Sequence, residues 1–374
     1  MASKHSVSAR ISANLSLAVA ALLLNWPAAA ADLGKRSTAD QPPRKVIVGT
    51  VVQPFWEKYP GVQTRLDQLT GIVDRMQQQS EKKYGRGLDL AVLPEIAVTG
   101  EGELTGQAVD WSLPFEGPVK DTFAREASKL RCYIVVPMYL LEDSPRKMSS
   151  NVAILMGRRG EVVGIYRKHH IAVDTGSDSL EHGVTPGKEI PVFDCDFGKL
   201  GIQICFDIEF DYGWAELARQ GAEIVAWPTQ SPQTSQPACR AKQYHYYIVS
   251  STWRHNASIF EPTGKITAQV MGEQGAQAAS SPSKENTLVQ ELDLSYAILP
   301  WSRRLKNGEA LTEAFGDKVG YRYYVEEDRG LFWSNDPHLT IGQMLKRLGL
   351  AEQEDELRRI EKLYQVAGVP GYER

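Results

Sequence analysis

Cysteine is scarce in this chain: Cys132, Cys195, Cys205 and Cys239 are the four among 374 residues, and no two form a CxxC pair. That excludes a zinc ribbon, a thioredoxin-type redox pair and a small disulfide-stapled fold. Long basic runs are also missing, and 42 Lys and Arg against 46 Asp and Glu leave a net charge of −4. A nucleic-acid partner needs a basic stripe that tracks phosphates, so it is excluded as the main partner. After residue 31 no segment is apolar over the roughly 20 residues that a bilayer span requires. His169 and His170 lack an HExxH or facial-triad context, and neighbours on a strand point to opposite faces, so no metal is expected. What remains is a chain with 42% hydrophobic residues, 31 Gly and 20 Pro, able to bury a large core.

The first residues form a unit of their own. Lys4 and Arg10, the apolar stretch Leu15 to Leu24, and Trp26-Pro27-Ala28-Ala29-Ala30-Ala31 follow the order of a secretory signal peptide ending in small residues. Asn25-Trp26-Pro27 interrupts the apolar stretch, which is short for a membrane span. Residues 1–31 are therefore expected to be a signal peptide and the protein to be exported, periplasmic or extracellular. Residues 32–44, with Pro42 and Pro43, read as a flexible leader.

Lys45 to Val52 is a β-branched run suited to a buried strand, and Val62, Leu66, Leu69, Val73 and Met76 then recur at helical spacing. Leu88 to Leu93 predicts a second strand, Phe123 to Leu130 a helix and Arg131 to Pro137 a third strand. A hairpin follows, from Asn151 to Met156 and Val162 to Tyr166. The order then recurs. Leu200 to Ile204, Glu223 to Trp227 and Ile248 to Thr252 read as strands, Tyr212 to Arg219 and Pro237 to Tyr247 as helices, and Ser258 to Val270 as a hairpin. Two sheets, each covered by helices on one face, would pack as a four-layer αββα sandwich over residues 45–299. From Pro300 the chain reads as an aromatic-rich irregular stretch followed by two helices, an extension spanning residues 300–374. It would pack on its own core, across a subunit interface or over a site mouth.

Cys205 ends the strand Leu200 to Ile204, and strand carboxyl ends are where open α/β sheets place ligands. A disulfide to Cys195 is not expected. If the two flanked a hairpin turning at Gly198, Cys205 would face Pro191, about 13 Å from Cys195 at about 3.3 Å per residue. Two other apolar runs end in lone charges, Glu95 after Ala91-Val92-Leu93-Pro94 and Lys168 after Val162 to Arg167. Each alone would be a solvated element end. Together a thiol, a carboxylate and an ammonium could converge at one rim.

Leu93-Pro94-Glu95, Tyr166-Arg167-Lys168-His169-His170 and Gly201-Ile202-Gln203-Ile204-Cys205-Phe206-Asp207 resemble, in this order, the motifs of the nitrilase superfamily of carbon-nitrogen hydrolases. The likeness extends to Gly221-Ala222-Glu223-Ile224, Pro228, Arg240-Ala241 and Glu261-Pro262-Thr263-Gly264. It implies the αββα fold, two-fold homo-oligomers, no cofactor, and a Glu95, Lys168, Cys205 triad. In that triad Glu95 takes the thiol proton, Cys205 attacks, and Lys168 stabilises the developing charge with a backbone N–H near Phe206. It also implies a second glutamate, best matched by Glu181, that orients Lys168 and the substrate nitrogen. His170 and Asp207 fall where the family often has His and an acid, and are expected to tie down the loop.

The implied substrate is a small amide. Phe206 in place of Trp-Glu argues against a true nitrilase, and the lack of an Arg-rich continuation argues against a carbamoyl hydrolase, but both stay open, as does a non-catalytic binding protein on the same fold. Loops Ala97 to Pro118 and Thr229 to Pro237 would frame the pocket, with Trp111 and Trp227 as walls.

Overall fold

In a computed structural model of the chain, which describes residues 37–56, 58–101, 106–143, 145–174, 176, 178–272 and 286–373, the doubled order is present. The first half runs Lys45–Val51 (β1), Val62–Tyr84 (α1), Leu90–Val92 (β2), Pro118–Leu130 (α2), Tyr133–Asp143 (β3), Met148–Met156 (β4) and Val162–Arg167 (β5). After Val192–Cys195 (β6), the second half runs Gly198–Ile202 (β7), Tyr212–Arg219 (α3), Ile224–Pro228 (β8), Ser235–Tyr244 (α4), Tyr247–Ser251 (β9), Asn256–Phe260 (β10) and Ile266–Met271 (β11). Thr287–Asp293 (β12) returns to the first sheet, antiparallel to β1.

The sheet orders are β12-β1-β2-β3-β4-β5 and β11-β10-β9-β8-β7-β6. In each half three strands are parallel, as helical crossovers require, and a hairpin then adds antiparallel strands. Both faces of β1 are covered, which is why it reads as a continuous apolar run. On one face a Cβ at Gly49 would lie 2.9 Å from Met76 Sδ of α1. On the other, the Thr50 hydroxyl donates to the Ser250 carbonyl of β9. Gly201 of β7 meets α3 in the same way, with Leu217 Cδ1 at 2.8 Å from a built Cβ. With α1 and α2 on one sheet, and α3 and α4 on the other, the layers are the expected αββα sandwich.

Three expectations need correction. The β6–β7 hairpin pairs Cys195 with Gly198, so it turns at Asp196-Phe197 rather than at Gly198. All four cysteines are nonetheless free. The stretch after Pro300 is not irregular. Tyr296–Pro300 (β13), Val319–Tyr324 (β14) and Arg329–Ser334 (β15) form a third sheet in the order β13-β15-β14. β14 and β15 form a hairpin, with Tyr324 opposite Arg329, but β13 reaches β15 past Glu309–Phe315 (α5) and β14, so local periodicity does not reveal that second pairing. Ile341–Leu348 (α6) packs on it with Leu299, Val319 and Phe332, and Gln353–Ala367 (α7) follows.

Ala39 is fully buried in that same cluster, and the Gly342 amide donates to its carbonyl at 2.8 Å. Arg44 pairs with Glu223, and the Ser295 hydroxyl donates to the Pro42 carbonyl at 2.6 Å. Residues 37–44 are therefore tied to the domain and are not a free leader. The expected signal peptide, 1–31, and residues 32–36 lie outside the described residues. Among the described residues no helix is long and apolar enough to cross a membrane.

Candidate active site

Glu95 follows β2 through Pro94, Lys168 follows β5, and Cys205 follows β7 through Gln203-Ile204. The first two are 2% exposed. Lys168 Nζ donates to Glu95 Oε1 at 2.9 Å and to Glu181 Oε2 at 2.6 Å. Asn151 Nδ2 bridges the same two carboxylates, donating to Glu95 Oε1 at 2.9 Å and Glu181 Oε1 at 2.6 Å. Tyr139 adds a hydroxyl donor to Glu181 at 3.2 Å. The Cys205 thiol neighbours the Glu95 carboxyl, whose Oε2 accepts no hydrogen bond, and it also meets the Thr229 hydroxyl and the Gln230 backbone N–H. The structure thus brings Glu95, Lys168, Glu181 and Cys205 into one cluster, its three charged groups buried and Cys205 half-buried.

The cluster's charges follow from burial. Burial would lower the Lys168 pKa, yet the Glu181 and Glu95 carboxylates outweigh it and hold the ammonium well above its ordinary value. Glu95 is pushed upward by burial, partly offset by Lys168 and pushed further by Glu181. Burial raises the Cys205 thiol to about 12, with the Glu95 charge adding to the shift and Lys168, Thr229 and Gln230 opposing it. At rest the site holds a neutral thiol beside a fixed cation and a carboxylate with heightened proton affinity. That pair is suited to passing the thiol proton to Glu95 as the sulfur attacks.

Cys205 and Glu181 take positive φ, +39° and +37°, a region that side-chain-bearing residues rarely occupy. Buried Asp207 holds the first of these. It accepts from the Ile204 N–H at 2.9 Å, the Tyr166 hydroxyl at 2.7 Å and the His170 N–H at 2.8 Å, while His170 Nδ1 lies 3.1 Å from Oδ1. One carboxylate thereby ties the strand end carrying Cys205 to the one carrying Lys168. Two indoles hold the backbone: Trp253 donates to the Glu95 carbonyl at 2.8 Å and Trp227 to the Cys205 carbonyl at 3.1 Å. Trp227, expected as a pocket wall, is fully buried and anchors the Cys205 backbone. Phe206 is half-buried, with Phe210 edge-on at 5.8 Å. Trp111 packs on Tyr139 and His182, next to Glu181. Residues 102–105 of the neighbouring loop lie outside the described residues.

Sequence reasoning missed Asn151, Tyr139 and Thr229. Tyr139 sits mid-strand between apolar neighbours, Asn151 follows Ser149-Ser150 in β4, and neither carries a motif. Thr229 did carry a signal: Trp227-Pro228-Thr229 repeats the strand-end pattern of Leu93-Pro94-Glu95.

Comparison with known proteins agrees with the fold. A family profile described as carbon-nitrogen hydrolase matches residues 52–298. A beta-ureidopropionase of Arabidopsis thaliana is 24% identical over 226 residues, 58% of this chain and 55% of that protein. An omega-amidase of Danio rerio is 23% identical over 244 residues, 59% of this chain and 82% of that one. Among solved structures, a carbon-nitrogen hydrolase of Helicobacter pylori matches with a TM-score of 0.55 at 17% identity. A nitrilase-superfamily member of Saccharomyces cerevisiae matches with 0.53 at 19%. Each covers 67% of this chain and 90% of the other.

Proposed function

The chain belongs to the carbon-nitrogen hydrolase family, and on that premise we propose that it hydrolyses a non-peptide C–N bond of a small amide-type substrate through a thioester on Cys205. The observation that carries this reading is the convergence of the Cys205 thiol and the Glu95 carboxyl on a fully buried Lys168 ammonium. Glu95 accepts the thiol proton as Cys205 Sγ bonds to the carbonyl carbon. The substrate oxygen gains negative charge near Lys168, which stays cationic throughout because two carboxylates flank it. Glu95 then gives its proton to the departing amine, later takes one from the water that cleaves the thioester, and returns that proton to the Cys205 sulfur as the C–S bond breaks, so each cycle ends with it unprotonated. Glu181, bonded to Lys168 and Asn151, fixes the ammonium and is placed to receive the substrate N–H.

The test is ammonia release from a panel of ω-amides, ureido acids and nitriles, with intact-mass detection of a covalent acyl adduct. Turnover of an amide with an adduct lost in Cys205→Ala supports the reading. Ureido-acid turnover alone would move it to carbamoyl chemistry, and no turnover with an unlabelled Cys205 would remove it in favour of a binding protein. We also propose export after removal of residues 1–31 and assembly as two-fold dimers. N-terminal sequencing of the secreted product and its mass in solution check these two points.

A further inference from the structure

The two halves of the fold can be superposed by register alone. β1 pairs β2 with Val48 opposite Leu90 and Gly49 opposite Ala91, and β7 pairs β8 with Leu200 opposite Ile224 and Gly201 opposite Val225. The correspondence lays Glu95 over Thr229, Cys205 over Gln53 and Lys168 over Gly272. The last match is seen in the backbone: the Lys168 N–H donates to the Asn151 carbonyl at 2.8 Å, and the Gly272 N–H to the His255 carbonyl at 2.7 Å. The residues at the Cys205 sulfur therefore include two pseudo-equivalent ones, Glu95 from the first half and Thr229 from the second.

Thr229 is fully buried, and the β7–β8 ladder ends with Ile202 opposite Ala226, an offset that, carried three residues on, brings Thr229 beside Cys205. Its Oγ1 already accepts the Ser231 N–H at 2.9 Å, so the hydroxyl proton points to another acceptor, and the neighbouring group is the Cys205 sulfur. We propose that Thr229 is a catalytic residue that donates a hydrogen bond to Cys205 Sγ, holding the thiolate that Glu95 generates. The inference rests on the reading of Cys205 as nucleophile. The thiol proton goes to Glu95, and Thr229 keeps its own. When the thioester is hydrolysed and the C–S bond breaks, sulfur recovers its charge and the same donor stabilises it as the leaving group.

The experiment is the pH dependence of Cys205 alkylation by iodoacetamide, read by intact mass, with Cys205→Ala as background. Thr229→Val keeps the shape and removes the donor. A lost hydrogen bond to a charged group slows labelling at each pH below the thiol midpoint by about tenfold or more. Thr229→Ser restores the wild-type rate. A Thr229→Val labelling rate equal to wild type across that range overturns the proposal, and Thr229→Ala serves the same comparison should the valine variant not fold. If wild-type Cys205 is not labelled at any pH, the nucleophile reading itself fails and takes this inference with it. A labelled Cys205 indifferent to Thr229 removes only the inference.

Discussion

Glu95, the proposed base, sits in an environment that opposes its charge, and this links activity to stability. Its folded-state pKa lies above the ordinary 4.5 because of burial, with Lys168 offsetting part of the shift. The protonated carboxyl cannot take the thiol proton, so kcat/KM is expected to fall as pH drops through that raised value, above the range of a surface glutamate. A pH–rate profile with its acid limb at the ordinary carboxyl pKa would refute the assignment. The folded state binds this proton more tightly than the unfolded chain, so ionising Glu95 costs stability as pH rises from the ordinary carboxyl range through the raised value, and the full cost persists above it. Glu95→Gln keeps an acceptor for Lys168 and Asn151 and removes the charge. At neutral pH it is expected to lose about 100-fold or more in kcat while its thermal midpoint rises. A midpoint that falls would mean the carboxylate is a net stabiliser. The residues of this site differed in how legible they were. Glu95, Lys168 and Cys205 stood out because each is a lone reactive group ending an apolar run. Asn151 follows Ser149 and Ser150 in β4, and nothing local marks that its amide, rather than either hydroxyl, faces two carboxylates.

At the scale of elements, the site depends on how two strand ends are held. Asp207 accepts from Ile204 next to Cys205, and from Tyr166 and His170 on either side of Lys168. Asp207→Asn turns one acceptor oxygen into a donor facing groups that already donate. The expected cost is about 2–3 kcal/mol, with kcat falling more than KM rises, because the loss is in alignment and not in substrate contact. A thermal melt and a kcat against KM comparison check this, and wild-type values for both would show that the loop is held without it. The doubled strand-helix order was legible because each crossover helix and buried strand has its own period. Boundaries were less so: α4 stops at Tyr244 rather than Tyr247 because His245 takes φ +52°. The β6–β7 turn escaped because register depends on which two residues form the loop, and Gly198 suggested the wrong pair.

At the scale of the whole molecule, the third sheet is bound to the sandwich by charge as well as by its own core. Glu261, which closes β10, is fully buried, and Arg322 of β14 donates from Nε to its Oε2 at 2.6 Å while Thr263 donates to Oε1 at 2.6 Å. This pairing was invisible in sequence because its members lie 61 residues apart and Arg322 sits among aromatics that read as irregular. A buried carboxylate that loses its cation keeps the desolvation cost without the attraction, about 3–5 kcal/mol. Arg322→Met is therefore expected to lower the denaturant midpoint strongly, and adding Glu261→Gln should recover most of the loss, since the buried charge is then gone. Glu261 lies outside the site cluster, so an active single variant at low temperature with a depressed midpoint is the expected pairing. If the double variant is no more stable than Arg322→Met alone, the cost lies in lost arginine packing over Trp333, which the guanidinium covers at 4.7 Å from the ring centre. The charge account of how the third sheet is fastened would then fail.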